Sequence, residues 1–230
     1  MTRPKHPPSK LLGLLFKAHP WHGVSIGDGQ PEVVTAYIEL VPSDTVKYEL
    51  DKASGHIRVD RPQVYSNICP ALYGILPQTY CGERVAEYCA ERTGRPEVVG
   101  DQDPLDICVL SEKLIPHGDI LLDARPIGGL RMIDGGEADD KLIGVLKDDA
   151  VFDGWSDIAD CPRSVIERLK HYFLTYKDAP GSEVSRCEIV DVYGRDEAYE
   201  VIRRAREDYL SHFADLEHLL NATLHGSDPS

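Results

Sequence analysis

The chain has 230 residues, with 39 Asp or Glu against 25 Lys or Arg and a formal charge of −14. That length supports one domain with a core of its own and no need of disulfide staples. The charge repels nucleic acid and anionic membrane from most of the surface, so any phosphate-binding surface must be local.

The first ten residues, rich in Pro and Lys, read as a mobile segment. Arg3, Lys5 and Lys10 precede the apolar run 11–16, which superficially resembles a signal peptide. The run is short, Lys17 interrupts it, and no small-residue cleavage site follows. No stretch approaches the ~20 apolar residues of a membrane span. A soluble cytoplasmic protein is expected, without membrane or nucleic-acid partners.

Residues 33–41 are rich in β-branched side chains and 46–51 alternate, after which Lys52-Ala53-Ser54-Gly55 supplies a turn into 57–61. This predicts a strand followed by a hairpin. Residues 83–92 followed by Gly94 read as a short helix with a glycine stop. Further strands are expected at 107–110, 120–125, 128–133 and 141–146, each bounded by Gly, Pro or Asp. Short strands so closely spaced point to a small closed barrel. After Pro162, the residues Val165, Ile166, Leu169, Tyr172, Phe173 and Tyr176 recur at helical spacing, predicting an amphipathic helix packed on the barrel. Val201, Ile202, Ala205, Tyr209, Phe213, Leu216 and Leu220 repeat the pattern between Asp196 and Leu220, ahead of a polar tail at 226–230. The expected class is α+β, mainly β: a single domain over 1–230, with a small closed barrel flanked by two main helices.

Cys69, Cys81, Cys89, Cys108, Cys161 and Cys187 form no CxxC pair and no zinc-like Cys/His spacing. They read as buried free thiols.

Two acidic clusters stand out: Asp101-Gln102-Asp103-Pro104-Leu105-Asp106, and Asp134-Gly135-Gly136-Glu137-Ala138-Asp139-Asp140-Lys141. Carboxylates crowded between Gly and Pro repel one another unless cations sit among them, and hard oxygen ligands favour Mg²⁺, Mn²⁺ or Ca²⁺. In an extended segment Asp101 and Asp103 face one way, and Pro104 redirects the chain to bring Asp106 back. The loop is a poor EF-hand: it has Glu112 at the twelfth position but Asp106 at the sixth, where an EF-hand needs Gly. In the second cluster two glycines bend the chain, and Lys141 suits a phosphate oxygen beside metals. Either cluster taken singly reads as solvated surface. Together, each at a strand end, they imply a metal-phosphate site.

The first cluster resembles the signature of soluble family I inorganic pyrophosphatases. Tyr37-Ile38-Glu39-Leu40, Val46-Lys47-Tyr48-Glu49-Leu50-Asp51-Lys52, Gly55 to Arg61, Tyr73-Gly74, the second cluster, His171-Tyr172-Phe173 and Tyr176-Lys177-Asp178 follow in matching order. The resemblance spans residues 37–178. It implies an OB-like β-barrel that hydrolyses diphosphate to two phosphates with several Mg²⁺ ions, Mn²⁺ being a substitute, in an oligomer. It further implies that Asp101, Asp106 and Asp139 hold one metal, that Asp106 shares a second, and that Asp134 with Asp139 holds another, with Glu39 close by. Asp103 is the implied general base, and Lys47, Arg61, Tyr73, Lys141, Tyr176 and Lys177 the implied phosphate ligands. Whether Glu49, Asp60, Glu137 and Asp140 reach metal directly or through water stays open.

Two departures stand beside the match. Cys69-Pro70 replaces the usual Tyr-Pro, which reads as a packing substitution. Residues 77–100 form a longer segment before Asp101 than the compact bacterial form has, placed to cover the site or to make subunit contacts. Competing readings are a nucleotide or polyphosphate hydrolase, although there is no GxxxxGK[ST] or GxGxxG, a nucleic-acid-binding barrel, which the charge opposes, and a metal-binding homologue without activity.

Overall fold

Alternation and β-branching make strands along the first half of the chain, and helical spacing takes over where the apolar residues recur every three or four positions. A computed structural model describes residues 17–63, 65–177 and 186–213. The expectations for residues 1–16, Asp178, Leu216, Leu220 and the tail 226–230 lie outside the described residues.

In chain order come β1 (Val34–Leu40), β2 (Val46–Leu50), β3 (Ile57–Pro62), β4 (Leu72–Ile75), α1 (Glu83–Thr93), β5 (Val99–Gly100), β6 (Asp106–Leu110), β7 (Ile120–Asp134), β8 (Glu137–Ala138), β9 (Lys141–Leu146), α2 (Arg163–Thr175), β10 (Cys187–Gly194) and α3 (Arg195–His212). Strands β1, β4, β6, β9 and β7 pair in that order, and β7 pairs again with β1, so five strands form a ring. Strands β2 and β3 form a separate two-stranded sheet. Most pairs are antiparallel, but β6 and β9 run parallel, with Asp106 opposite Lys141.

Among the described residues the fold is mainly β with three α-helices: the two main ones expected and the shorter one expected at 83–92. The segment at Glu83–Thr93 is a full third helix, packed on α3 through Val85 and Cys89. The strands expected at 120–125 and 128–133 are one strand, β7. Pro126 between them sits at a register shift, where a missing N–H is tolerated. Strand β4 is too short to show alternation. Strand β10 lies along β7 with Glu188 and Asp191 exposed, so its polar residues masked it in the sequence. Within the described residues α3 runs to His212 and closes at Phe213.

Period-two alternation lets one strand serve two cores. On β9, Leu142 joins Val85, Val201 and Ile202 of α1 and α3, while the next residue, Ile143, joins Leu169 and Phe173 of α2. Burying each such side chain contributes about 1.5–3 kcal/mol. All six cysteines are buried and none is joined in a disulfide. Cys69 is 1% exposed and packs in the α2 core beside Tyr172, consistent with a packing substitution.

Candidate active site

Strand ends supply the carboxylates. Glu39 comes from β1, Asp101 and Asp103 from the loop between β5 and β6, Asp106 from the first residue of β6, Asp134 from the last of β7, and Asp139 from the step between β8 and β9. All six line one cavity of about 240 Å³, together with Lys47, Tyr73, Lys141, Tyr176 and Lys177. Arg61 alone among the predicted residues is not on its wall.

The loop reaches this arrangement differently from the extended path expected. Gln102 is left-handed, with φ of 64°, and Asp101 Oδ1 accepts a hydrogen bond from Asp103 N at 2.9 Å. The chain therefore turns at Gln102 before Pro104, and the aspartates converge through a side-chain-stabilised turn. In the second cluster Gly135 and Gly136 take φ of 61° and 95°, where a side chain would be strained.

The carboxylates are matched by ammonium groups. Lys141, 2% exposed, places Nζ between Asp106 and Asp139. Lys177 pairs with Asp134, and Lys52 pairs with Asp103. Lys47 reaches Glu49 at 2.9 Å and Asp60 at 3.2 Å. Tyr73 donates its hydroxyl to Asp106 Oδ2 at 2.6 Å. Arg61 pairs with Asp60 and lies 5.7 Å from the Tyr176 ring centroid. Its Nη2 is buried without a hydrogen-bond partner among the described residues.

Burial sets the electrostatics. Glu39 is 5% exposed and accepts from Leu50 N at 2.7 Å. Burial, followed by the charge of Asp106, pushes its carboxyl up to about 8. Burial and the charge of Asp139 raise Asp101 as well. Burial also raises Asp106, against the opposing pull of Lys141. At Asp134 burial again works upward, but Lys177 and Arg186 hold the carboxyl below its usual range. Burial lowers the affinity of Lys141 for its proton, yet Asp106 and Asp139 hold it well above normal.

Desolvated carboxylates raised by one another call for more positive charge than the lysines supply, and their oxygens are the hard donors that divalent cations take. The residues fit such ions. As they stand, no three His, Cys, Asp or Glu side chains among the described residues close into a ligating group, since Lys141 draws Asp106 and Asp139 onto its own ammonium.

Of the four acidic residues left open, Glu49 and Glu137 line the cavity. Asp60 instead grips Lys47 and Arg61. Asp140 points away, accepting from Tyr193 Oη at 3.0 Å and lying 3.9 Å from Arg131. Lys52 is the cavity residue that the sequence reading did not assign. A lysine opening a polar hairpin turn looks like ordinary surface, and only the fold of β2 and β3 over the site brings it to Asp103.

Three comparisons bear on this arrangement. The profile of the family described as Inorganic pyrophosphatase matches residues 36–210. An inorganic pyrophosphatase of Chlamydia caviae is 55% identical over 199 residues, covering 85% of this chain and 92% of that protein. Soluble inorganic pyrophosphatase 1 of Arabidopsis thaliana is 33% identical over 201 residues, covering 87% and 84%. The crystal structure of inorganic pyrophosphatase from Thermus thermophilus superposes with a TM-score of 0.70 at 30% identity, covering 84% of this chain and 99% of that one.

Proposed function

We propose a division of labour for the site from one premise: the chain belongs to the inorganic pyrophosphatase family and hydrolyses inorganic diphosphate to two phosphates. The observation that carries the proposal is the meeting of the six predicted carboxylates and the three predicted phosphate-binding lysines in one cavity.

The reaction needs divalent metal, and in our reading the ion is Mg²⁺, with Mn²⁺ a substitute. Asp101, Asp106, Asp134 and Asp139 hold the ions, with Glu39 behind them. When bound, such ions neutralise diphosphate oxygens and make a water more acidic. Asp103 takes the proton of the attacking water. It is suited to this because its side chain is 43% exposed, in reach of solvent, whereas that of Asp106 is 19% exposed. Lys47, Lys141 and Lys177 hold the phosphate oxygens and stabilise the charge that gathers as the bond to the departing phosphate loosens. Tyr73 and Tyr176 add hydroxyls, and Arg61 Nη2, without a partner among the described residues, is a donor for the substrate.

The ring of strands is an OB-like barrel in this reading, and the chain one domain. No described helix is long and apolar enough to cross a membrane. A cytoplasmic setting fits six buried cysteines that form no disulfide. A homo-oligomer fits the exposed Leu114 and Leu121.

The test is phosphate release from diphosphate with Mg²⁺, without metal, and in folded Asp103→Asn. Mg²⁺-dependent release that falls by about 10²–10⁴ in the variant supports the assignment. Release by Asp103→Asn at the wild-type rate removes Asp103 from the mechanism.

A further inference from the structure

The loop of residues 101–105, which holds Asp101 and Asp103 and leads into Asp106 at the start of β6, is bonded through its backbone to one strip of chain, residues 76–82. Leu76 N donates to Leu105 O at 2.8 Å, Cys81 N to Asp103 O at 2.8 Å, and Gln102 N to Cys81 O at 3.1 Å. Thr79 completes the set. Its hydroxyl accepts from Leu105 N at 2.9 Å and donates to Leu76 O at 2.7 Å, and the residue is fully buried. The two segments lie so close that a Cβ on Gly100 would run into the carbonyls of Cys81 and Gly82.

Beyond Ile75, where β4 ends, the strip is neither strand nor helix until α1 begins at Glu83, so something else must hold it. Helix α3 does so. Arg206 Nη1 donates to Gln78 O at 2.9 Å, and Tyr80 N donates to Ala205 O at 2.9 Å. Asp208, 4% exposed, accepts from Gly82 N at 3.1 Å, Arg84 N at 3.2 Å and Val85 N at 3.1 Å, and also from Arg84 Nη1 at 3.0 Å. Helix α1 has no side-chain cap of its own. A carboxylate from another helix satisfies its free amides instead, and stabilises its positive end.

We propose that residues 76–82, clamped by α3, are a positioning element for the aspartate loop, with Thr79 and Asp208 as its positioning residues. The physical reason is the precision that catalysis demands: a carboxylate displaced by about 1 Å loses up to about 10²-fold in rate. A turn with a left-handed Gln102 has no ladder of its own to prevent such a shift. Thr79 touches neither substrate nor metal in this scheme. It sets where Leu105, and through it Asp103, can sit.

The inference rests on the assignment of this loop to the reaction, and the experiment separates the two. Thr79→Val keeps the shape and removes the hydroxyl, whereas Thr79→Ser keeps the hydroxyl. In Thr79→Val, kcat should fall roughly tenfold with KM for diphosphate changed by less than about twofold. Amide hydrogen exchange at Leu105 should accelerate while exchange in β1 and β7 does not. Thr79→Ser should restore both. Asp208→Ala should move kcat in the same direction and loosen the first turn of α1. A folded Thr79→Val with wild-type kcat, or a loss that Thr79→Ser shares, overturns the proposal. Should Thr79→Val not fold, Asp208→Ala decides: a lowered Tm with unchanged kcat makes the clamp structural only. Loss of activity in Asp103→Asn beside an unaffected Thr79→Val sinks the positioning role alone, whereas an active Asp103→Asn sinks the base assignment and leaves the Thr79 result to report on the loop.

Discussion

Asp106 and Lys141 stand opposite each other in the parallel register of β6 and β9, and the Lys141 ammonium is shared with Asp139. A parallel pair is uncommon in a mainly antiparallel sheet. Here it brings the first residues of both strands to the same end of the ring. The acidic loop that precedes β6 and the one that precedes β9 are thereby joined at one place, with a buried cation between them.

Replacing Lys141 by Met therefore leaves Asp106 and Asp139, 19% and 14% exposed, facing one another without its compensation. Without metal, Lys141→Met should be destabilised by about 3–5 kcal/mol. Divalent metal, binding the folded state, should restore part of that loss. Urea unfolding with and without Mg²⁺ checks this, and a variant as stable as wild type without metal would contradict it.

Behind the site, Arg131 and Asp140 form a second buried charge group. Arg131 is 1% exposed, reaches Glu197 at 3.1 Å and lies 4.8 Å from the Tyr193 ring centroid. Burial pushes Asp140 up to about 6, opposed by Arg131. Arg131→Met strands that carboxylate and should cost about 3–5 kcal/mol. Asp140→Asn should cost about 1–3 kcal/mol less in the Arg131→Met background than in wild type. Additive losses in a double-mutant cycle would show that the two are not coupled.

His22 makes stability depend on pH. Its ring is half-buried between Trp21 and Tyr209, with Nδ1 2.9 Å from the Tyr209 hydroxyl. Burial, and next the charge of His19, lowers it from 6.5 to about 4. The folded state thus favours the neutral ring. The contribution is fully present above pH 6.5, and is lost as the pH falls toward 4, because in that window the unfolded chain binds the extra proton. After allowance for solvent screening the effect amounts to about 1 kcal/mol. Unfolding free energies of wild type and His22→Gln across this window should show the shallower slope in the variant, and equal slopes would contradict it.

Local chemistry made much of this protein legible without coordinates. Alternation in 46–51 and the Lys52 to Gly55 turn specify the β2–β3 hairpin, and helical spacing after Pro162 specifies α2, since both patterns act between residues close along the chain. Charge crowding in the two acidic clusters marks the site, because carboxylates at that density need cations wherever the chain goes. Sequence spacing could not reveal that Pro126 sits at a bulge inside one continuous strand, or that Lys52 meets Asp103 across a fold. Nor could it reveal that Asp208 caps a helix more than a hundred residues earlier, or that Asp140 turns its back on Asp139. Each of these depends on a pairing between distant segments. Such contacts are decided by which apolar faces bury one another and which polar groups must then find partners, and no local pattern encodes that choice.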